Sequence, residues 1–382
     1  MSEQQAKPRL SSRTHTAAGQ RGVTLVELMV ALALALVLTA GFIQVFLANR
    51  ISYAFNEGMS RIQENGRFAL DTLNFRIRMA GHVGCLSEIP LYNNLNDATD
   101  LAFDFGVAIT GFEANGTGPG ATLTATSSNP SNSTTPGNWV PSLPDELNGR
   151  VIPGSDVVVV RNFSGSSHAL RSPFSDGDLV YVEADSGAYA VGDIAVASDC
   201  QKASIFQVTG VSSSGSGLVL AHSAAGASPG NATASWNTDQ SYTAGAELVR
   251  GETWVYFVGA PADGGPPALF QGRLHTDTTT STATLVFEEI ADSVETMQVL
   301  YGLDVDDDDR VDEYRTAAAI SAAEWADVVT VRIGLLMRSP DEYGAETDTA
   351  SYAVNETTFN PIADRRVRQV FTTTVALRNR LP

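Results

Sequence analysis

Residues 19–48 read GQRGVTLVELMVALALALVLTAGFIQVFLA. Arg21 and Gly22 close a cationic leader, and beyond them Glu27 is the one formal charge before Arg50. The 21 residues from Leu28 to Ala48 would extend roughly 30 Å as an α-helix, the thickness of a bilayer's hydrocarbon core. Ahead of them Lys7, Arg9, Arg13 and Arg21 stand against Glu3 alone, an excess that keeps this end on the cytoplasmic side. A secretory signal peptide would place a small-residue cut site after a shorter apolar region, whereas here the small residue, Gly22, precedes the run. An ordinary signal anchor with a chance glutamate is the plain alternative.

A carboxylate inside an apolar helix costs about 2.5–3.5 kcal/mol at the bilayer centre and less near its end, so such groups are usually paired. Cutting the chain after Gly22 would create a partner, the new ammonium of Val23. Gly22-Val23-Thr24-Leu25-Val26-Glu27 resembles the class III signal of type IV pilins and type II secretion pseudopilins. The resemblance implies that a prepilin peptidase cuts between Gly22 and Val23 and methylates the new terminus. It also implies that Glu27 helps dock the subunit into a filament. Val23 stands where phenylalanine is commoner.

The helix continues past the anchor. Ile51, Phe55, Met59, Ile62, Gly66, Ala69, Leu73, Ile77 and Ala80 recur at intervals of three and four and make one helical stripe. Phe68, Phe75 and Met79 lie off that stripe, giving a second apolar flank suited to neighbouring subunits; burial of both flanks within one chain is the bland alternative. Gly58 and Gly66 each cost about 1 kcal/mol relative to alanine and mark places to bend. Gly81 and Gly84 supply the stop.

Beyond Gly84 the runs Val157–Arg161, Leu179–Glu183, Ile194–Ala197, Ser204–Thr209, Leu218–Ala221, Glu247–Val258, Thr284–Phe287, Val328–Met337 and Val367–Ala376 read as strands. The stretches Ala114–Gly149, Val211–Gly245 and Pro261–Pro267 read as turn-rich, either functional surface or disorder. Glu288–Gln298 reads as a short helix between strands. The expected fold class is α+β: a long N-terminal transmembrane and amphipathic helix packed on an antiparallel, β-rich domain. The expected division is a leader over 1–22, a helix over 23–80 (transmembrane 28–48, amphipathic 49–80) and the β-rich domain over 81–382.

Three later segments resemble the PilW family of minor pilins: Met79-Ala80-Gly81-His82-Val83-Gly84-Cys85, Asp199 to Thr209 (DCQKASIFQVT), and Val367 to Asn379 (VRQVFTTTVALRN). That resemblance implies an inner-membrane, single-pass pilus assembly protein with a periplasmic C-terminal domain, later part of the filament. It implies a minor-pilin complex that primes the pilus and sits at or near its tip. The implied partners are other minor pilins and the major pilin through the N-terminal helix, prepilin peptidase, and a tip adhesin. The J-type pseudopilin of type II secretion is similar in its anchor and strand order and is the runner-up.

The net charge of −19 becomes −22 once residues 1–22 are removed, since that leader carries four basic residues and one acidic residue. Nucleic acid is thereby excluded as a partner, because phosphate contacts need a basic surface. Hydrophobic residues make up 43% of the chain, enough for a folded core. Cys85 and Cys200 are its two cysteines. In an oxidising compartment they form a disulfide worth about 4–5 kcal/mol by chain entropy, or they stay as two buried thiols.

Asp304-Val305-Asp306-Asp307-Asp308-Asp309-Arg310-Val311-Asp312 places Asp304, Asp306, Asp308 and Asp312 at positions one, three, five and nine of a calcium loop, with the Arg310 carbonyl at seven. Asp309 replaces the turn glycine, and Arg315 stands where an EF-hand has its bidentate glutamate, with Glu313 available to compensate. Calcium is the candidate cofactor, and a solvated acidic hairpin is the alternative. An enzyme finds little support. Gly226-Ala227-Ser228-Pro229-Gly230 has a nucleophile-elbow pattern, but Pro229 lacks the N–H needed for an oxyanion hole. The five histidines are isolated and show no zinc spacing.

Overall fold

The structure is a computed structural model that describes residues 22–82, 89–174, 179–215, 217–233, 236, 238–344 and 346–380. Its first element is one unbroken helix, α1 (Leu25–Arg78), of 54 residues, about 80 Å long. Thr24 starts it: its Oγ1 accepts the Glu27 N–H at 3.2 Å, half of the reciprocal pattern that a Thr-x-x-Glu box provides. At the other end Arg76 and Arg78 face the negative pole of the helix dipole, and Gly81, at φ +69°, turns the chain away. The Gly81 N–H then donates to the Arg161 carbonyl at 2.9 Å.

The chain divides into two compact units, residues 1–54 and 55–382. In the first, the described residues are the exposed, apolar part of α1. In the second, Ile62, Gly66, Ala69, Leu73 and Ile77 are buried at the expected spacing. The upper members of that stripe behave differently, for Ile51 is 55% and Phe55 39% exposed. The two glycines are not bends. A Cβ at Gly58 would meet the Tyr343 ring at 2.5 Å, and one at Gly66 would meet the Phe371 ring at 2.7 Å. They let aromatic rings seat directly on the helix backbone.

The amphipathic stretch packs on a four-stranded antiparallel sheet, ordered Glu313–Arg315, Val294–Leu303, Val328–Arg338, Arg368–Ala376. Thr373 donates to Asn74 at 3.1 Å and Asn379 to the Ala80 carbonyl at 3.1 Å, fixing helix to sheet by polar contacts as well. A nine-stranded sheet is built around the long pair Val157–Ala169 and Glu247–Gly259. Two three-stranded sheets complete the β-rich part. The α+β expectation holds. Among the described strands two pairings are parallel, Leu91–Asn93 with Ala203–Gln207 and Thr122–Thr124 with Thr357–Asn360, so the nine-stranded sheet and one three-stranded sheet are mixed.

Glu288–Gln298 is not a helix. It is the end of the Thr282–Ala291 strand, a tight turn with Ser293 at φ +62°, and the start of the Val294–Leu303 strand. Glu295, Thr296 and Gln298 disguised that strand, because all ten of its residues are buried and these three are polar. Their polar groups are answered inside: Thr296 donates to the Gly154 carbonyl at 2.9 Å, and Glu295 pairs with Arg338 and Arg368. The stretch Ala114–Gly149 is mostly exposed surface, pinned to the core by a few side chains. Trp139, Leu143 and Leu147 are buried, and Trp139 Nε1 donates to the Ser155 carbonyl at 2.8 Å.

Two acids lie beneath the junction of the sheets. Asp156 accepts the N–H groups of Ala114 at 2.9 Å and Val299 at 2.8 Å, stitching the large sheet to the smaller one. Glu113 accepts from Thr117 at 2.8 Å, while its other oxygen is buried without a partner. Burial pushes the Glu113 carboxyl up to about 7, as expected for a carboxyl that keeps its proton in a dry site. A folded-state value above the unfolded one means that the native state holds an extra proton in between. This contribution is therefore full below about pH 4.5 and is lost as pH rises through about 7, and Asp156, buried beside it and raised by burial and by the Glu113 charge, adds to the same slope. Glu113→Gln should reduce that slope without abolishing it and leave the protein more stable than wild type at pH 8, read by denaturant unfolding across pH 4.5–8.

Candidate functional site

Gly22, Val23 and Thr24 precede α1 as exposed chain. Glu27 sits in the first helical turn. Its backbone N–H is used by Thr24, but its carboxylate makes no hydrogen bond or ion pair among the described residues. Reading the sequence overlooked the helix cap, although Thr24-x-x-Glu27 is its signature. From Leu25 to Leu47 every large apolar side chain is at least 49% exposed. α1 is the helix among the described residues that is long and apolar enough to cross a membrane, with a mean hydropathy of 2.5 in its most apolar window.

Farther along α1, Phe68 is 53% and Phe75 62% exposed, whereas the opposite stripe is buried. These two aromatic rings stand on the solvent side of an otherwise docked helix. Cys200 is half-buried with φ +65°. Cys85 lies outside the described residues, and with it the last part of the first PilW-like segment.

The acidic loop is only partly assembled as a cation site. Carboxylate oxygens of Asp304, Asp306 and Asp312 lie within 4.8 Å of one another. Asp304 is buried and shapes the loop, accepting the N–H groups of Asp308 at 3.1 Å and Asp309 at 2.7 Å. Asp312 accepts the Val305 N–H at 2.7 Å. Asp309 adopts φ +65°, the conformation for which the missing glycine would serve, and Asp307 does so at +58°. Asp308 stands apart from this trio and faces Arg310 at 3.8 Å. Glu313 is already paired with Arg315, which also holds Glu324 at 2.8 Å. Repulsion from Asp312, then Asp308, raises the Asp306 carboxyl above its usual range. Hard oxygen donors of this kind suit calcium, and three carboxylates of the predicted set could hold it.

The elbow-like Gly226–Gly230 stretch lies in turns and an isolated bridge between Ser228 and Thr282, not between a strand and a helix. It has none of the setting a nucleophile elbow needs.

Comparison with known proteins agrees with the ends of the chain. Residues 18–43 match the prokaryotic N-terminal methylation motif. Residues 255–379 match the family model described as Type IV Pilus-assembly protein W. That match takes in the third PilW-like segment and the four-stranded sheet under α1, and it begins after the first two segments. No curated protein matches the chain. The chain is thus similar to prepilin-like proteins over its methylation motif at one end and to type IV pilus-assembly protein W over about a third of its length near the other.

Proposed function

We propose that the protein is a minor pilin that primes type IV pilus assembly and takes a place at or near the tip. The observation that carries this reading is the pairing of a methylation motif with a PilW region on one chain. The long helix supports it, since it offers an exposed apolar anchor and then Phe68 and Phe75 on its uncovered flank. In this reading residues 1–22 are a leader that prepilin peptidase removes, and the anchor holds the subunit in the inner membrane. The β-rich domain stands in the periplasm until the helix joins those of other minor pilins and the major pilin. The PilW match favours this over the type II secretion pseudopilin. The family is structural, and the role is assembly rather than catalysis.

Cys85 and Cys200 form a disulfide in this reading, tying the chain after α1 to the Ala203–Gln207 strand. Asp304, Asp306 and Asp312 hold calcium, with Asp308 and the Arg310 carbonyl drawn in as the loop closes.

Protein purified from its native host should have lost residues 1–22 and gained one methyl group at Val23, with Cys85 and Cys200 recovered in one linked peptide. Intact mass and non-reducing peptide mapping check both points, and a mature chain retaining Met1 would overturn the leader assignment.

Glu27→Ala should leave membrane insertion and the fold of the β-rich domain unchanged while lowering the number of filaments per cell. Counting pili by electron microscopy in a strain whose only copy carries the change is the measurement, and normal piliation would count against a docking role.

Millimolar calcium should raise the melting temperature of the wild-type protein, magnesium should do so less, and Asp304→Ala with Asp306→Ala should abolish the shift. Differential scanning calorimetry reads this directly, and an unchanged melting temperature leaves a solvated hairpin.

A further inference from the structure

Beside the end of α1, a cleft of about 450 Å³ opens on the ribbon formed by the Glu247–Gly259 and Ala268–Asp277 strands. Arg76 from α1 and Arg250 and Arg273 from the two strands border it, with His275 next to Arg273. Arg76 is held in place: its guanidinium carbon lies 3.5 Å from the Trp254 ring centroid, and its Nη1 is 3.7 Å from Glu252. Arg250 reaches Asp193 at 3.1 Å. Arg273 pairs across the strands with Trp254, is exposed, and makes no ion pair among the described residues. Three arginines are thus met by two carboxylates, Asp193 and Glu252, leaving the cleft locally cationic on a chain whose net charge is −19. Beside it Phe75 is 62% exposed, its ring centroid 5.3 Å from the Arg76 guanidinium.

A ligand for this surface needs carboxylates, which the guanidinium fork grips in bidentate pairs, and an apolar group for Phe75. The chain itself carries a segment of that chemistry. Asp306, Asp307, Asp308 and Asp309 are exposed, and Val305, 58% exposed, stands among them. The loop is rooted by the Asp304 N–H on the Asp327 carbonyl and the Asp312 N–H on the Leu303 carbonyl, each at 2.9 Å, so it projects as a formed element. None of its residues borders the cleft of its own molecule. Mutual repulsion among its carboxylates is relieved by any cationic partner.

We propose that the arginine cleft receives the Asp304–Glu313 loop of a second copy of this chain, Phe75 meeting Val305 and Arg273 meeting the aspartates. Such a contact joins two different surfaces and so repeats head to tail rather than closing a symmetric pair. It needs no membrane and no pilus, and because it uses the carboxylates that would otherwise hold calcium, it is tested with that cation removed.

The test uses the full chain in neutral detergent micelles with a chelator present, so that no cation occupies the loop. A fluorescein-labelled peptide of residues 304–313 should bind saturably by anisotropy, and raising the salt should weaken it as screening shortens the Debye length. Arg273→Glu should weaken the peptide at least about tenfold and Arg273→Lys by less, since lysine keeps the charge but loses the fork. In sedimentation equilibrium the wild type should self-associate with concentration, Arg273→Glu should not, and adding Asp306→Arg to Arg273→Glu should restore association. Absence of peptide binding, or binding indifferent to Arg273→Glu, overturns the proposal. Peptide binding without self-association also overturns it, and assigns the cleft to a different acidic partner.

Discussion

The structure depends on α1 lying close enough to its sheet for one stripe to vanish while the rest of the helix stays uncovered. Glycine makes that approach possible. With a side chain at position 66, the Phe371 ring of the last strand would be displaced. That ring belongs to the strand whose Thr373 and following Asn379 also bind the helix. Each glycine costs about 1 kcal/mol of helix propensity. Burial of Ile62, Leu73 and Ile77 to 1% exposure or less returns about 1.5–3 kcal/mol per side chain. The packing the glycines permit thus outweighs their propensity cost about two- to fourfold, and the helix runs through them without a break.

The sheet beneath the helix is held from within by charge. Arg368 has a fully buried side chain that bonds Glu295 through Nε and Nη2, and reaches Asp364 at 2.8 Å and Asp348 at 3.0 Å. Burial alone would lower its pKa, but hydrogen bonds to Glu295 and Asp364 hold it above its ordinary value. Arg338, also buried, meets Glu295 from the neighbouring strand at 3.3 Å. Desolvating so many charges is offset only when nearly every donor has a partner, and removing one member of such a set costs about 3–5 kcal/mol. All five residues lie inside the region that matches the PilW family model. The network joins the central strands to the 340–366 connection, which no periodicity in the sequence would place there.

Legibility followed local pattern. The anchor, the buried stripe from Ile62 to Ala80 and the strands at 194, 247, 328 and 368 each announce themselves by runs or periods of apolar residues, and each is present. The Val294–Leu303 strand was hidden by Glu295, Thr296 and Gln298, because a buried polar residue looks like an exposed one until its partner is known. Arg368 and Asp364 are ordinary surface residues by composition; only the pairing brought by the fold makes them interior. The arginine cleft was invisible for the same reason, its members coming from positions 76, 250 and 273. In the acidic loop, spacing found the trio of Asp304, Asp306 and Asp312, but it could not show Asp308 turned toward Arg310.

Glu27 has one local duty and one open one, and the two are separable. A helix starts with unsatisfied N–H groups and a partial positive charge, and an acid in the first turn is favourable there. Thr24 Oγ1 satisfies the Glu27 N–H, so the cap works through the backbone of residue 27 and not through its carboxylate. The carboxylate is left exposed at the head of a run of apolar side chains, where in hydrocarbon it costs free energy until a cation meets it. Cleavage after Gly22 would place an ammonium at Val23, only one residue before the cap, on the same positive helix pole. An anchor with a new positive end and an unanswered negative group one turn in is complementary to another anchor of its kind, staggered along its axis. In the role proposed above, this one charge would favour a bundle of such helices over a solitary anchor in the bilayer.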